Sequence, residues 1–213
     1  MLSSDILETD LDLIQPAELT FEAGQWISLP FGPKSVRAYS IASTPRSSRR
    51  ITLCADVQPG GIGSAWFREL TVGHPVEFKA PFGGFVFRRD DPRRPLFVAE
   101  EIGIVPIRAM LADLVETGFE LRATLVYWGR DPSWLPYHDE LLALARRSPG
   151  FAYHPLMASS GVAELTTALA GVPWDTRALV AYVSGGGAMI DGVREALMAK
   201  GLDRKSVRWE KFW

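Results

Sequence analysis

The sequence predicts an antiparallel β-barrel in its first half and a parallel, doubly wound α/β sheet in its second half, within 213 residues. In residues 21–87, short runs of alternating apolar and polar residues are separated by glycine and proline, which is typical of antiparallel strands. From residue 95 onward, apolar strands alternate with amphipathic helices, which is typical of a parallel sheet with right-handed crossovers. Residues 88–94 are polar and contain a proline, so they are the expected linker. We therefore expect domains at 1–90 and 91–213.

The individual elements follow from these patterns. The expected strands of the first half are GQWISLPFG, RAYSIAS, ITLCADV and HPVEFKAPFGGFVF, with a helical turn at SAWFREL, and ILETDLDL is a candidate for an additional barrel strand. The expected strands of the second half are PLFVA, LRATLVYW, FAYHPLM, ALVAYVS and SVRWEKFW. Its expected helices are VPIRAMLADLVETG, PYHDELLALARR, a short helix at 164–169 and MIDGVREALMAKG. In a parallel sheet of this kind, ligands bind beyond the carboxyl ends of the strands.

Composition and charge exclude several classes of function. The net charge of -2, from 23 basic and 25 acidic residues, leaves no overall field that would attract nucleic acid or an anionic membrane. No apolar run reaches the roughly 18 to 20 residues that span a bilayer, and the N-terminus lacks the residue order of a signal peptide. We therefore expect a cytoplasmic protein with no nucleic-acid partner and no membrane span.

The single cysteine, Cys54, limits the possible metal and redox chemistry. One thiol cannot form an internal disulfide, a cysteine-rich zinc site or the four-thiolate ligand set of an iron–sulfur cluster. His138 and His154 lack the paired spacing of metal ligands, so we expect no metal site. Redox chemistry in this chain would need another cofactor.

RAYSIAS, in the first half, suits a ligand that has phosphates and a flat ring. Arg37 can bind a phosphate, Tyr39 offers a ring for stacking, and the Ser40 hydroxyl can bond a ring nitrogen. Strand alternation places Arg37, Tyr39 and Ser43 on one face and Ala38 and Ser40 on the other. The alternative is an edge strand with a surface arginine and a packed tyrosine.

QPGGIGSAWFREL has the pattern of a glycine-rich turn that leads into a helix. Gly61 and Gly63 let the backbone approach a ligand closely, with Ile62 between them. Ser64 can cap the helix, whose free N–H groups would then face an anion. The alternative is a glycine-rich loop with an ordinary N-cap.

The order RAYS, GGIGS and PFGGF, followed by an α/β half, resembles the ferredoxin–NADP reductase family of flavoproteins. The resemblance extends from FEAGQWISL to the terminal EKFW. It implies an FAD-binding barrel followed by a Rossmann-like NAD(P)-binding domain. It also implies that Arg37 contacts the flavin phosphates, Tyr39 stacks on the isoalloxazine and Ser40 lies near the flavin N5. The residues implied to bind FAD are Arg37, Ala38, Tyr39, Ser40, Gly61, Ile62, Gly63 and Ser64.

VAEEIGIVPIRAML corresponds to the family's pyrophosphate loop and carries Glu100 and Glu101 in place of two glycines. Gly103 and Ile104 keep the family's pattern and are implied to contact the nicotinamide nucleotide. A carboxylate about 5 Å from a phosphate costs roughly 3 kcal/mol at an effective dielectric near 20, and under about 1 kcal/mol if water screens it. Either the glutamates repel the pyrophosphate, or one of them caps the helix where a phosphate would bind, or both point into solvent.

Two further turns of the second half carry implied site residues. In SGGGAMID, Ser184 replaces the cysteine that the family places beside the nicotinamide, and Gly185 is kept. Arg130 lies where the family binds the adenine ribose end of the cofactor. A solvent-exposed loop arginine is the simpler alternative for Arg130.

The chain ends in EKFW, and in the family the C-terminal segment returns to the flavin. Phe212, and after it Trp213, are implied to cover the isoalloxazine, with Glu210 as a polar neighbour of the flavin. The alternative is that both aromatic side chains cap the core, since they bury large apolar areas.

The expected function is an FAD-dependent oxidoreductase that passes electrons from NADH or NADPH through flavin N5 to a separate acceptor, a partner protein or a small molecule. Ser40, Ser184 and Phe212 are the expected catalytic residues. One alternative is an FAD-binding protein that has lost NAD(P)H binding through Glu100 and Glu101, and is reduced by a partner or uses its flavin for other chemistry. Another is a non-catalytic interaction subunit that keeps only the fold.

Overall fold

A computed structural model describes residues 3–157, 162–171 and 175–212 of the chain. Antiparallel strands are followed by alternating parallel strands and helices, which confirms the expected fold class. The strands are β1 (Ile6–Asp12), β2 (Trp26–Pro30), β3 (Val36–Ser40), β4 (Arg50–Asp56), β5 (Lys79–Phe82), β6 (Arg94–Glu100), β7 (Ala123–Gly129), β8 (Phe151–Met157), β9 (Leu179–Gly185) and β10 (Val207–Lys211). The α-helices are α1 (Ile62–Glu69), α2 (Ile104–Glu116), α3 (His138–Arg147), α4 (Val162–Gly171) and α5 (Gly187–Ala199).

The first half forms two small antiparallel sheets around its own core. β1 pairs with β4, and β2 lies between β3 and β5. An isolated bridge between Ile41 and Leu53 joins the two sheets just after β3. The core between them includes Ile27, Ile51 and Phe67. β1 is therefore the additional strand for which ILETDLDL was the candidate.

Three details of the first half differ from the sequence-based expectation. Helix α1 begins at Ile62 with Gly61 as its N-cap and no side-chain cap, so Ser64 is not the cap but a buried residue of the first turn. β3 ends at Ser40, so Ser43 does not share a strand face with Arg37. β5 stops at residue 82 because the two glycines that follow do not sustain a strand, and residues 83–88 continue without regular structure.

The second half is a five-stranded parallel sheet in the order β10-β9-β6-β7-β8. The central strands β6, β7 and β9 are almost wholly buried because helices cover both faces of the sheet. Helices α2 and α3 pack on one face, and α4 and α5 pack on the other. The chain starts at β6, moves outward to β8 and returns to the opposite side of β6 with β9. The order of the strands therefore reverses between β6 and β9, which is where such sheets open a crevice for ligands.

The two halves share one hydrophobic cluster. It combines Cys54 and Phe85 of the first half with residues of β6, α2 and β9 in the second. The ring of Phe87 stacks on that of Tyr182 at 5.7 Å, and the Tyr182 hydroxyl accepts the backbone N–H of Arg88 at 3.1 Å. The expected linker, residues 88–94, is thus attached at its first residue to the parallel sheet of the second half.

Polar contacts also cross between the halves. Arg108 of α2 donates from Nη1 to the carbonyl of Ala42 at 2.8 Å. Tyr137 donates from its hydroxyl to Glu8 Oε1 at 2.6 Å. The Arg108 guanidinium lies over the Tyr137 ring, 4.9 Å from its centroid, so the two contacts lie side by side and together attach the second half to β1 and to the segment after β3.

None of the described helices is both long and apolar enough to cross a membrane. Within the same residues, no group of three or more His, Cys, Asp or Glu side chains could hold a metal ion.

Candidate active site

Arg37, Tyr39 and Gly63 lie together where β3 meets the start of α1. A Cβ atom added to Gly63, in the first turn of α1, would overlap the Tyr39 hydroxyl and lie 3.7 Å from Arg37 Cγ, so glycine lets the helix start approach the strand without displacing the Tyr39 ring. A Cβ added to Gly61 would meet open space, and the Arg37 side chain is exposed. An exposed guanidinium, a phenol ring and a close backbone loop fit the phosphates and ring system of FAD.

Ser40 and Glu210 connect the first half to the last strand of the second. Ser40 donates from Oγ to Glu210 Oε1 at 3.2 Å, although 170 residues separate them. Burial raises the pKa of the Glu210 carboxyl to about 7, and the Ser40 hydrogen bond offsets part of that rise. A carboxyl group that titrates near neutral pH can take up or release a proton at this junction.

Ser184 lies beside this pair, at the end of β9. It is in register with Glu210 on one side and Ala99 on the other, so its side chain is on the same face of the sheet as the Glu210 carboxyl. The Ser184 side chain is fully buried, and its Oγ has no hydrogen-bond partner within the part of the chain that the structure describes. A buried hydroxyl with unused bonding capacity fits a polar group of a ligand.

Gly103 and Ile104 form the start of α2 next to Ser184. A Cβ atom added to Gly103 would overlap the Ser184 carbonyl oxygen, so glycine is required for α2 to begin this close to β9. The Ile104 side chain is fully buried in the shared cluster, and its N–H already bonds to the carbonyls of Glu101 and Ile102. Ile104 therefore positions the helix by packing, and its implied contact with the nucleotide stays a prediction.

Phe212 follows β10 and lies near the turn after β9. Its backbone N–H donates to the Gly185 carbonyl at 3.0 Å, and its partly buried side chain packs against the shared cluster. This packing is the core-capping arrangement considered for the C-terminal aromatic residues. Its role in covering the flavin stays a prediction, and Trp213 lies outside the described residues.

Glu100 spans the crevice between β6 and β9. Its Oε2 accepts the backbone N–H of Gly186, the N-cap of α5, at 2.7 Å, and the residue is only 8% exposed. Burial raises the pKa of the Glu100 carboxyl, and the Gly186 N–H partly opposes the rise. One alternative from the sequence was that a glutamate caps the helix of its own loop, where a phosphate would bind. Glu100 does accept an N–H at a helix start, but the helix is α5 and not α2.

Glu101 is paired with Arg130, which follows β7. Arg130 Nε donates to Glu101 Oε1 at 2.7 Å and Nη2 donates to Oε2 at 2.8 Å, a bidentate ion pair. The guanidinium also lies over the ring of Trp134, 4.0 Å from its centroid. Because Glu101 is 5% exposed and Glu100 is also buried, the alternative in which both carboxylates point into solvent is wrong.

The Glu101–Arg130 and Glu100–Gly186 contacts could not be predicted from the residue pattern. Both join residues at the ends of neighbouring parallel strands, and they become visible only when the strand order is known. Glu101 does carry a local signal in hindsight, because it replaces a glycine of the family's loop and adopts a positive φ of 46°.

Comparisons with known proteins show the family to which the chain belongs. A family model described as an oxidoreductase FAD-binding domain matches residues 1–87. Ferredoxin–NADP reductase B from Sorangium cellulosum strain So ce56 is 32% identical over 228 residues, covering 99% of this chain and 93% of that protein. The reductase component of phenol 2-monooxygenase from Pseudomonas sp. strain CF600 is 30% identical and covers the whole chain, which spans 63% of that relative.

A solved structure shows the same fold at similar coverage. Phthalate dioxygenase reductase, described as a modular structure for electron transfer from pyridine nucleotides to an iron–sulfur centre, superposes with a TM-score of 0.79 at 26% identity. The match covers 99% of this chain and 64% of that one, so the chain corresponds to about two thirds of the larger protein. With a full-length reductase relative and a matching FAD-binding model, the chain belongs to the ferredoxin–NADP reductase family of FAD-dependent oxidoreductases.

Proposed function

We propose that this chain takes electrons from a reduced nicotinamide nucleotide and passes them through FAD to a separate acceptor. Residues 1–90 would bind FAD, and residues 91–213 would bind the nicotinamide nucleotide. The observation that carries the proposal is the Ser40–Glu210 hydrogen bond beside the Ser184 hydroxyl, which has no partner among the described residues, because it brings polar groups of both halves to one point. The reductase names of the relatives favour this function over a flavoprotein that does not use NAD(P)H.

The first half supplies the groups that hold FAD. Arg37 would bind a phosphate through its exposed guanidinium, and Tyr39 would stack on the ring system. The loop at Gly61, Ile62, Gly63 and Ser64 would contribute backbone N–H groups to the pyrophosphate, and Ala38 and Ser40 would line the ring edge. When bound, FAD accepts a hydride equivalent at N5 and releases electrons to the acceptor.

The junction of the two halves would exchange a proton through Glu210 and Ser40 and would orient the nicotinamide through Ser184. Glu210 can hold a proton on Oε1 near neutral pH and exchange it through the Ser40 hydroxyl, which lies 3.2 Å away. The Ser184 hydroxyl has free capacity for a hydrogen bond to the nicotinamide side. Phe212 would exclude water by covering the ring, and Gly185 and Gly103 would keep the crevice open to the nucleotide.

The electrons would leave to a partner protein or a small molecule. Within these 213 residues one cysteine is too few to ligate an iron–sulfur cluster, so the chain itself cannot carry the electrons further by that route. Among the relatives are reductase components of oxygenase systems, which supports a protein acceptor.

Anaerobic titration of the FAD-loaded protein with NADH and with NADPH tests the proposal. We expect at least one of them to bleach the flavin absorption band. If neither bleaches it at millimolar concentration, the proposed function fails. Arg37→Ala should lose FAD on dialysis, whereas Arg46→Ala, which removes an exposed loop arginine, should keep it.

A further inference from the structure

The end of β7 is the place where this sheet would contact the adenine ribose of a dinucleotide. With β6 as the first strand, the order β10-β9-β6-β7-β8 makes β7 the second strand of a doubly wound sheet. In such sheets an acidic residue near the end of that strand bonds the ribose 2′-hydroxyl of NAD, whereas a nearby arginine accommodates the 2′-phosphate of NADP. Here β7 ends at Gly129 and Arg130 follows, so Arg130 has the position of the 2′-phosphate ligand.

The Arg130 side chain is 49% exposed, and three of its five guanidinium N–H groups already donate to this chain. Nε and Nη2 donate to the two carboxylate oxygens of Glu101 at 2.7 and 2.8 Å, and Nη1 donates to Gln58 Oε1 at 3.3 Å. One face of the guanidinium lies on Trp134. The fork that would bind a phosphate bidentately is therefore bound to a carboxylate of this chain.

A 2′-phosphate that used the remaining N–H groups of Nη1 and Nη2 would meet a cation whose charge Glu101 already balances. A 2′-phosphate that used the Nε–Nη2 fork would have to take Arg130 away from Glu101. The Glu101 side chain is only 6% exposed, so its charge would be left buried and unpaired, which is costly. The incoming phosphate would also lie close to that negative charge. The 2′-hydroxyl of NADH carries no charge and can accept or donate a hydrogen bond beside an intact ion pair.

The backbone of Glu101 is held in a conformation that favours glycine. Its φ is 46°, and the Tyr127 hydroxyl donates to its carbonyl at 2.9 Å. A non-glycine residue in the left-handed region is disfavoured, and such outliers point to a functional constraint. The strain is maintained at the residue whose carboxylate binds Arg130.

We infer that the Glu101–Arg130 ion pair makes this reductase select NADH over NADPH. The inference rests on the proposed function, because it concerns the ribose end of the nucleotide that the second half is proposed to bind. Glu101 acts as a specificity residue by neutralising Arg130, the cation at the 2′ position.

Calorimetric titration of the FAD-loaded, oxidised protein with NAD⁺ and NADP⁺ tests this inference without turnover. We expect the wild-type protein to bind NAD⁺ at least tenfold more tightly than NADP⁺. Glu101→Gln keeps a side chain of the same size but removes the charge, so it should tighten NADP⁺ binding tenfold or more and change NAD⁺ binding less than threefold. Glu120→Gln, at an exposed carboxylate paired with Arg122, is the matched control and should change neither.

The double variant Glu101→Gln/Arg130→Gln should lose the gain in NADP⁺ affinity, because the freed cation is then absent. The fragments 5′-AMP and 2′,5′-ADP should repeat the pattern, since they differ only at the 2′ position. A retained flavin spectrum shows that each variant is folded.

Two results would overturn the inference while leaving the proposed function intact. In one, the wild-type protein binds NADP⁺ as tightly as NAD⁺. In the other, Glu101→Gln tightens the binding of both nucleotides equally, which would mean that Glu101 acts on the pyrophosphate that they share. If the FAD-loaded wild-type protein bound neither nucleotide, the proposed function would be wrong, and the inference would fail with it.

Discussion

The Glu100 carboxylate accepts the backbone N–H of Gly186 over 2.7 Å, across the gap between β6 and β9. A dinucleotide bound at the point where the strand order reverses needs such N–H groups for its pyrophosphate. In this chain a carboxylate of the protein already holds one of them. A nucleotide bound there would therefore lie against a local negative charge.

Replacing Glu100 with glutamine should strengthen the binding of both nicotinamide nucleotides. The amide oxygen can still accept the Gly186 N–H, while the charge that repels the pyrophosphate is lost. A gain of about 1–3 kcal/mol corresponds to roughly five- to hundredfold in the dissociation constant. Calorimetry on the FAD-loaded protein measures it, with Glu195→Gln on the exposed side of α5 as the control. Unchanged dissociation constants for Glu100→Gln would show that the carboxylate lies away from the nucleotide.

Glu210 should make the stability of the protein fall as the pH rises. Its folded-state pKa is about 7 and its ordinary value is 4.5, so between these values the folded protein binds more protons than the unfolded chain. By linkage, the free energy of unfolding then decreases with pH, and the Glu210 contribution is lost as the pH passes about 7. We expect a loss of about 3 kcal/mol across this window.

Urea unfolding at several pH values checks the prediction for Glu210. Glu210→Gln should flatten the pH dependence in the same window, because the amide does not titrate. Glu77→Gln, at an exposed carboxylate of the first half, should leave the wild-type profile unchanged. If the free energy of unfolding depended on pH in the same way in the wild type and in Glu210→Gln, the pH dependence would not come from Glu210.

Gly103→Ala should destabilise the fold by about 1–3 kcal/mol. The new methyl group would overlap the Ser184 carbonyl oxygen, a backbone atom of the central strand β9, which cannot move aside without disturbing the sheet. Gly84→Ala is a suitable control, since a Cβ atom there would meet no atom within 4 Å. Chemical unfolding of both variants provides the comparison, and equal stabilities would refute the close approach of α2 to β9.

Gly63→Ala should weaken FAD binding by about tenfold, or 1.4 kcal/mol. The methyl group would overlap the Tyr39 hydroxyl and displace either the Tyr39 ring or the start of α1. Adding Tyr39→Phe removes the obstructing oxygen, so the double variant should recover most of the affinity. Quenching of flavin fluorescence gives the dissociation constants, and a double variant no better than Gly63→Ala would argue against the overlap.

The fold was predictable because its signals are local. PLFVA, LRATLVYW and ALVAYVS are continuous apolar runs, and all three became buried central strands because such runs suit a sheet covered on both faces. Periodic apolar residues likewise gave α2 and α3. Local signals failed where two start signals compete: α1 starts at Ile62, between Gly61 and Gly63, two residues before the serine that resembles a cap.

The candidate site was predictable only in part. RAYS and GGIGS point to their ligand through their own residue types, and Arg37, Tyr39 and Gly63 do lie together. The ion pair of Glu101 with Arg130 depends on which strands are neighbours, and the Ser40–Glu210 bond depends on how the halves pack. Neither relationship is encoded in the spacing of residues along the chain.

The stacked rings of Phe87 and Tyr182 have a practical consequence for protein engineering. An exchange of residues 1–90 for the same region of a relative would replace Phe85 and Phe87 but leave Tyr182 and Phe97 behind. In such a chimera the aromatic side chains on the two sides of the shared cluster would come from different proteins and would not be matched to each other. Crossover points that keep both sides of this aromatic group from one parent would give hybrids that fold more readily.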